Sequence, residues 1–487
     1  MFNIKKIFNH LIYIIIPLTY VGLQLIFLDQ YPHVLVDEPW YSSTAFNIGF
    51  NGQINNSLVG WRGAEELFFY PLLLAQWFKV FGVGLIQARL FSVFVGLGIV
   101  YLFSAILQQL KVSKAIIVLS TIILVFSNTF YILARRARPE ILLLFIVLVA
   151  IFLYLKYQKD KKNIFCLGLG LVLALGFWTH PNLAIMLLVV TIAFVAYQLK
   201  NKQFKPIIYL IAGESIIFGI GILGWIFFRE ETLIQCIQQL TQSGRVGTKT
   251  LFFSNFLGFI QTYSFGIKRA FITLFECCFL IIPIIVLKDK TTKSIAGIAL
   301  IVFLGLMTFF TPFNRSMFGL FSLLSILFFG LLFEQLKVNK MLRWLMLVVG
   351  LIYFTNSFAG EIYILSKARN NTSFSKLSSY LGTIPNSDEA KVIGPIELWY
   401  ALPLTNYISH NNQHLWTRYD KEQFDYIIVR DYDGDISPTA LTKESIYTGY
   451  TQGYQKLNQR LIDDKRYRKQ NTKNFPGFGK VSIWSKQ

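Results

Sequence analysis

Charge and cysteine are both scarce in this chain, and each scarcity excludes something. Only 15% of the 487 residues are charged, against 54% hydrophobic and 16% aromatic, at a mean hydropathy of +0.50. A soluble protein of this length carries more charge and fewer unbroken apolar runs, so a soluble enzyme or binding module is excluded. The four cysteines form no framework: Cys166, Cys277 and Cys278 lie in apolar runs, and Cys236 has no evident partner. That spacing excludes a disulfide scaffold and a cysteine-ligated metal centre. Acids are scarcer than bases, 26 against 46, for a formal charge of +20. A nucleic-acid partner does not follow, because residues 1–359 hold +16 of the excess and 360–487 only +4. Most of it sits in short loops between apolar runs, where membrane topology places it. There is no internal repeat or low-complexity tract. The first apolar run follows Lys5 and Lys6 without a small-residue cleavage site and reads as a retained anchor.

Apolar stretches of spanning length are present in quantity. A bilayer core of about 30 Å takes roughly 20 helical residues. Spans are expected at 7–28, 85–108, 115–133, 139–157, 164–179, 182–199, 207–228, 269–287, 294–310, 313–333 and 342–358. The expected fold class is a polytopic α-helical membrane protein of about 11 transmembrane helices. Segment 67–82, "LFFYPLLLAQWFKVFG", is short, contains Pro71 and Lys79, and reads as an interfacial helix. With eleven spans, one side collects 17 cations in short loops, from Lys5 to Arg343, and is therefore cytoplasmic. Counting 67–82 as a span would scramble that pattern. The expectation is a multi-pass protein of the inner (plasma) membrane, with a cytoplasmic N-terminus.

Sixteen of those 17 cations are Lys, whereas nine of the other 12 in this region are Arg. Arg binds phosphate or carboxylate with a planar fork where Lys acts as a point charge. An outer face that prefers Arg points to an anionic ligand there. After about residue 360 the composition changes. "AKVIGPIELWY", "FDYIIVRD" and "GKVSIWSK" read as strands and "QGYQKLNQRLIDD" as an amphipathic helix. Two domains are expected: a membrane domain over 1–359, with its first outer loop at 29–84, and a small extracytoplasmic α/β domain over 360–487.

The first outer loop holds "HVLVDEPWYSST", with Asp37 and Glu38 between an apolar approach and Pro39, Trp40 and Tyr41. Two solvated loop acids are common, but this packed setting favours a partly desolvated carboxylate able to accept a proton from a hydroxyl or amine. "RRARPE" puts Arg135, Arg136 and Arg138 in one short outer turn, against the positive-inside trend. Pro139 suits the first turn of the next helix, whose N-terminus itself attracts anions. Phosphate binding is expected there, with Arg135 and Arg138 favoured over Arg136. Arg245 in "SGRVGTKT" lies between glycines that let a loop close over a ligand, and Arg315 in "TPFNRS" is a similar candidate. Glu65, Tyr70 and His180 are candidate pocket residues, and Glu276 is an ionisable residue inside a span, hence suspect. None shows metal-ligand spacing, so a divalent metal is not supported.

Three segments, "DEPWYSSTAFNI" (Asp37 to Ile48), "FFYPLLLAQWFKVFG" (Phe68 to Gly82) and "RRARPE" (Arg135 to Glu140), resemble the GT-C membrane glycosyltransferases. Within them the likeness is to dolichyl-phosphate-mannose protein mannosyltransferases and bacterial aminoarabinose transferases. A small outer domain after the last span is similar too. The resemblance implies transfer of a sugar from a polyprenyl-phosphate donor to a glycan, lipid or protein acceptor on the outer face, in envelope glycan or protein glycosylation. Asp37 would be the acceptor-activating acid and Glu38 its partner. Polyprenyl phosphate is a good leaving group, so no cofactor is required. Two other readings use the same Arg face: a flippase or transporter of an anionic lipid, and an envelope polysaccharide ligase or polymerase. The transporter is disfavoured by the absence of an inverted repeat and of paired intramembrane charges.

Overall fold

The structure, a computed structural model, describes residues 10–35, 37–54, 56, 58, 69–180, 183–228, 267–309, 315–336, 340–384, 390–403, 406–409, 418–420, 423–431, 457, 459–461, 464–476 and 478–487. The chain divides into two compact units. One comprises Met1–Leu25, Gly63–Tyr70 and Ser92–Ile362; the other comprises Ile26–Arg62, Pro71–Phe91 and Tyr363–Gln487.

The described residues of the expected spans are largely helical, because continuous apolar sequence leaves the backbone no other way to satisfy its own N–H and C=O groups in lipid. Five described helices are long and apolar enough to cross a membrane: Leu85–Gln109, Pro139–Asp160, Leu183–Lys200, Phe204–Ile226 and Lys340–Leu381. The span expected at 115–133 is not one helix. It stops at Val125 and restarts at Asn128, with a 62° bend, and raises the number of candidate crossings to six if the pair is one span. Ser127 takes an extended conformation at the break, and its hydroxyl meets the Tyr353 hydroxyl at 3.2 Å. The backbone at the break keeps its bonds on either side, Ser127 N–H donating to Leu124 O and Tyr131 N–H to Ser127 O. Segment 67–82 gives the 13-residue helix Phe69–Phe81, about 20 Å long and too short to cross. Gly82, at φ +82°, ends it.

Glycine sets the closest helix packing of this unit. A Cβ at Gly170 would overlap the carbonyl oxygen of Leu210, and one at Gly213 that of Leu167. Helices Ile164–Thr179 and Phe204–Phe228 therefore pack backbone to backbone, the usual association device where no hydrophobic effect separates helix from lipid.

The second unit carries a five-stranded sheet: β1 (Lys391–Gly394), β2 (Asn406–Ser409), β3 (Tyr426–Asp431), β4 (Tyr467–Phe475) and β5 (Gly479–Lys486). The order is β2-β1-β3-β5-β4, with β1 parallel to β2 and β3, and β5 antiparallel to β3 and β4. Ile393, Ile408, Ile427, Val429 and Trp484 form its core with Tyr419, Phe424 and Tyr467. The stretch expected as one strand over "AKVIGPIELWY" is strand only to Gly394. Pro395 offers no N–H to a ladder, and Ile396–Ala401 forms a 3₁₀ turn instead. Most of "QGYQKLNQRLIDD" lies outside the described residues.

Candidate active site around Asp37

Helix Asp37–Phe46 begins at the acidic pair. Pro39 falls in the first turn, where backbone N–H groups have no intrahelical partner, and both acids complement the positive end of the helix dipole. Glu38 closes the entry: its N–H donates to Leu35 O (3.0 Å), and its carboxylate accepts the Leu35 N–H (3.1 Å).

The two carboxylates have opposite surroundings. Glu38 is wholly buried and accepts Arg89 Nε at 3.0 Å and Nη2 at 2.9 Å. Arg89, equally buried, also donates to Leu28 O and Pro32 O, both at 2.7 Å. A buried pair is tolerable only when its remaining hydrogen-bonding capacity is met, and these bonds meet much of it. Asp37, one residue earlier, is half-buried. Glu38 is thus engaged in holding the loop, and Asp37 is the member of the pair placed at the surface of the unit. Tyr41, one turn on, is also half-buried. Arg89 is one of the nine outer arginines, and sequence reasoning assigned it no site role; its own signal is a lone Arg in the first turns of a 25-residue apolar helix.

The rest of this helix is pinned from both sides. Asn56 accepts Ser43 Oγ (3.2 Å) and donates to Trp40 O (3.1 Å). The Ser42 and Tyr400 hydroxyls lie 2.7 Å apart, both buried. Upstream, the His33 ring packs edge-on to Phe478. Desolvation, with the Arg430 and Arg89 guanidiniums, lowers the His33 pKa to about 4. The side chain keeps an exposed edge, so the two fixed charges are the firmer cause. Arg430 is itself held by the Phe478 carbonyl and lies 3.6 Å from Glu397.

The other expected site residues divide differently. Tyr70, Arg135, Arg138, His180 and Glu276 belong to the first unit. Arg135 is fully buried and donates Nη1 to Tyr131 OH (2.6 Å) and Leu23 O (3.1 Å). Arg138 donates Nε and Nη2 to Glu140 at 3.1 and 2.6 Å. Arg135 and Arg138 thus each spend fork positions on protein acceptors, and Arg136, between them in the same turn, is half-buried. The i,i+2 pairing of Arg138 with Glu140 across Pro139 was legible only as a turn. Tyr70 is buried in the first turn of helix Phe69–Phe81, and His180, half-buried, follows the last turn of Ile164–Thr179. Glu276 is wholly buried, with Ser322 and Tyr353 beside its carboxylate, and Ser325 Oγ donates to its backbone oxygen at 2.7 Å. Arg315 opens helix Arg315–Gln335. Glu65 and Arg245 lie outside the described residues. Among the described residues no group of three or more His, Cys, Asp or Glu could hold a metal ion.

Residues 69–231 match the family model described as dolichyl-phosphate-mannose-protein mannosyltransferase. The fold is shared with ArnT from Cupriavidus metallidurans bound to undecaprenyl phosphate, at TM-score 0.60 and 11% identity over 96% of this chain and 97% of that one. The apo state of that protein gives 0.54 and 12% over the same shares. Arabinosyltransferase EmbB from Mycobacterium smegmatis gives 0.52 and 11%, over 77% of this chain and 43% of that one. No curated protein matches in sequence. At such identities the structures speak for the fold, and the family model adds lineage over the residues it covers. The chain thus matches the mannosyltransferase family model over residues 69–231 and shares the fold of ArnT and EmbB.

Proposed function

We propose that the protein transfers a sugar from a polyprenyl-phosphate donor to an acceptor hydroxyl or amine on the extracytoplasmic face, with inversion, and that Asp37 is the general base. One observation carries the assignment: of two adjacent carboxylates, Glu38 is buried in the Arg89 fork, whereas Asp37 is half-buried in the first turn of the helix, within reach of an acceptor. Relatives of this fold use lipid-linked sugars, and the ArnT of like fold binds undecaprenyl phosphate. Asp37 takes the acceptor proton as the acceptor attacks the anomeric carbon, and the sugar–phosphate bond breaks with its electrons going to the phosphate. A guanidinium that stabilises the departing phosphate acts best in a dry site. Arg135, Arg136 and Arg138 of the "RRARPE" turn, with Arg245 and Arg315, are the candidates for that role. Glu38 is a positioning residue. The acceptor is a glycan, lipid or protein, and no step requires a metal.

The test uses the purified full-length protein and a panel of synthetic undecaprenyl-phosphate sugars, reading release of undecaprenyl phosphate. Asp37→Asn should lose about 10²–10⁴ in rate while donor binding persists. Near-normal turnover by this variant would remove Asp37 from the mechanism, and no release from any donor would remove the transferase reading in favour of a lipid transporter. The proposed orientation has its own check. A C-terminal alkaline phosphatase fusion should be active in a bacterial host, and an inactive one would place residues 360–487 in the cytoplasm.

A further inference from the structure

The sequence gives the C-terminal domain no chemistry of its own, and the structure puts it in one compact unit with the loop that carries Asp37. We infer that this domain is a positioning brace for the catalytic helix, with Tyr400 as its principal contact. The inference rests on the role proposed above for Asp37.

Helix Asp37–Phe46 has ten residues. Helices shorter than about 12–15 residues are marginal in water on their own. A general base, however, must be held to within about 0.5 Å of its working position. The rigidity has to come from packing, and the C-terminal domain supplies it at three places. In the middle of the helix, one turn past the acids, the Tyr400 hydroxyl meets Ser42 Oγ at 2.7 Å, both residues buried. At its end, Phe46 packs edge-on against Trp399, centroids 6.2 Å apart. Beyond it, the β2 residue Ser409 donates its N–H to Leu58 O at 2.9 Å.

Tyr400 also links the two flanks of the loop. It touches Trp399 (5.3 Å) on one side and Phe374 (6.3 Å) on the other, and Phe374 leads through Phe478 (5.9 Å) to His33 (6.4 Å), four residues before Asp37. The rings of the domain in this series are buried, at 2–5% exposure. A continuous aromatic path thus brackets the helix from before its first residue to its last. Tyr400 stands on the 3₁₀ turn Ile396–Ala401, directly after the interior strand β1, paired on both sides, which is a stiff mounting for a hydroxyl. An appended module with an independent task would not bury its largest rings against another segment's entry and exit.

The experiment compares the full-length wild type with Tyr400→Phe, Ser42→Ala and the double variant, with Lys473→Gln on the exposed strand β4 as control. Amide hydrogen exchange over 37–52 should accelerate several-fold in all three brace variants and not in the control. With whichever undecaprenyl-phosphate sugar the wild type uses, kcat should fall roughly three- to tenfold, the effect of one lost hydrogen bond, with donor KM within twofold. The double variant should be no worse than the worse single one, since both remove the same contact. Unchanged exchange, or a higher donor KM at unchanged kcat, would overturn the inference. A wild type without turnover would remove the transferase reading and the catalytic half of this one, while loss of protection would still establish the brace.

Discussion

Replacing Arg89 by Met tests whether the Glu38 pair holds the site loop. The substitution keeps much of the volume and removes the charge. It strands a fully buried carboxylate and deprives the Leu28 and Pro32 carbonyls of donors now at 2.7 Å. Removing one partner of a buried pair costs about 3–5 kcal/mol, because the other charge stays buried without compensation. The two carbonyls are neutral acceptors that lose their donors and can relax toward water, so they add little to the upper end. The unit that contains Arg89 has about 180 residues, and for that size each kcal/mol shifts the melting temperature by about 2–4 °C. The expected loss is therefore roughly 6–20 °C for its transition, read by scanning fluorimetry in detergent. Arg89→Lys should fall between, since it keeps a charge but neither Nε nor the fork. Adding Glu38→Gln to Arg89→Met should recover part of the loss, because a buried amide costs less than a buried anion. A melting temperature within about 2 °C of wild type for Arg89→Met, against a predicted shift of at least 6, would refute the reasoning. Glu38 would then be free for chemistry.

Two further outcomes follow from other contacts. Gly170→Ala puts a methyl group on the Leu210 carbonyl and should separate helices Ile164–Thr179 and Phe204–Phe228; a loss of about 1–3 kcal/mol should appear as a lower melting temperature, while Gly297→Ala, with open space, should be silent. The His33 pKa is lowered to about 4 in the folded state, below its ordinary value near 6.5. The unfolded chain then binds the proton more tightly, so this contribution is present above about pH 6.5 and is lost as pH falls toward 4. Melting temperature measured across that window should rise with pH, and His33→Gln should flatten the slope.

Much of the architecture was legible in the sequence because its causes are local. A run of about 20 apolar residues must be helix in lipid whatever surrounds it. The sequence likewise marked Asp37, Glu38 and the Arg135–Arg138 turn, because acids and arginines at such places are costly unless used. Local pattern failed where a distant partner decided the outcome. The contact of the Ser127 hydroxyl with Tyr353, 226 positions away, lies beyond any local pattern. Strand β4 is exposed along nearly its whole length and so carries no hydrophobic alternation to read; its pairing with β5 makes it a strand. The division of labour between two adjacent acids could not be read from their own neighbourhood, where they look alike. It was decided by Arg89, 51 residues on, whose fork reaches one carboxylate, and by Tyr400, 358 residues from Ser42, which pins the helix that presents the other. Sequence marks which groups are expensive to bury, whereas only the tertiary fold determines which buried group meets which distant partner.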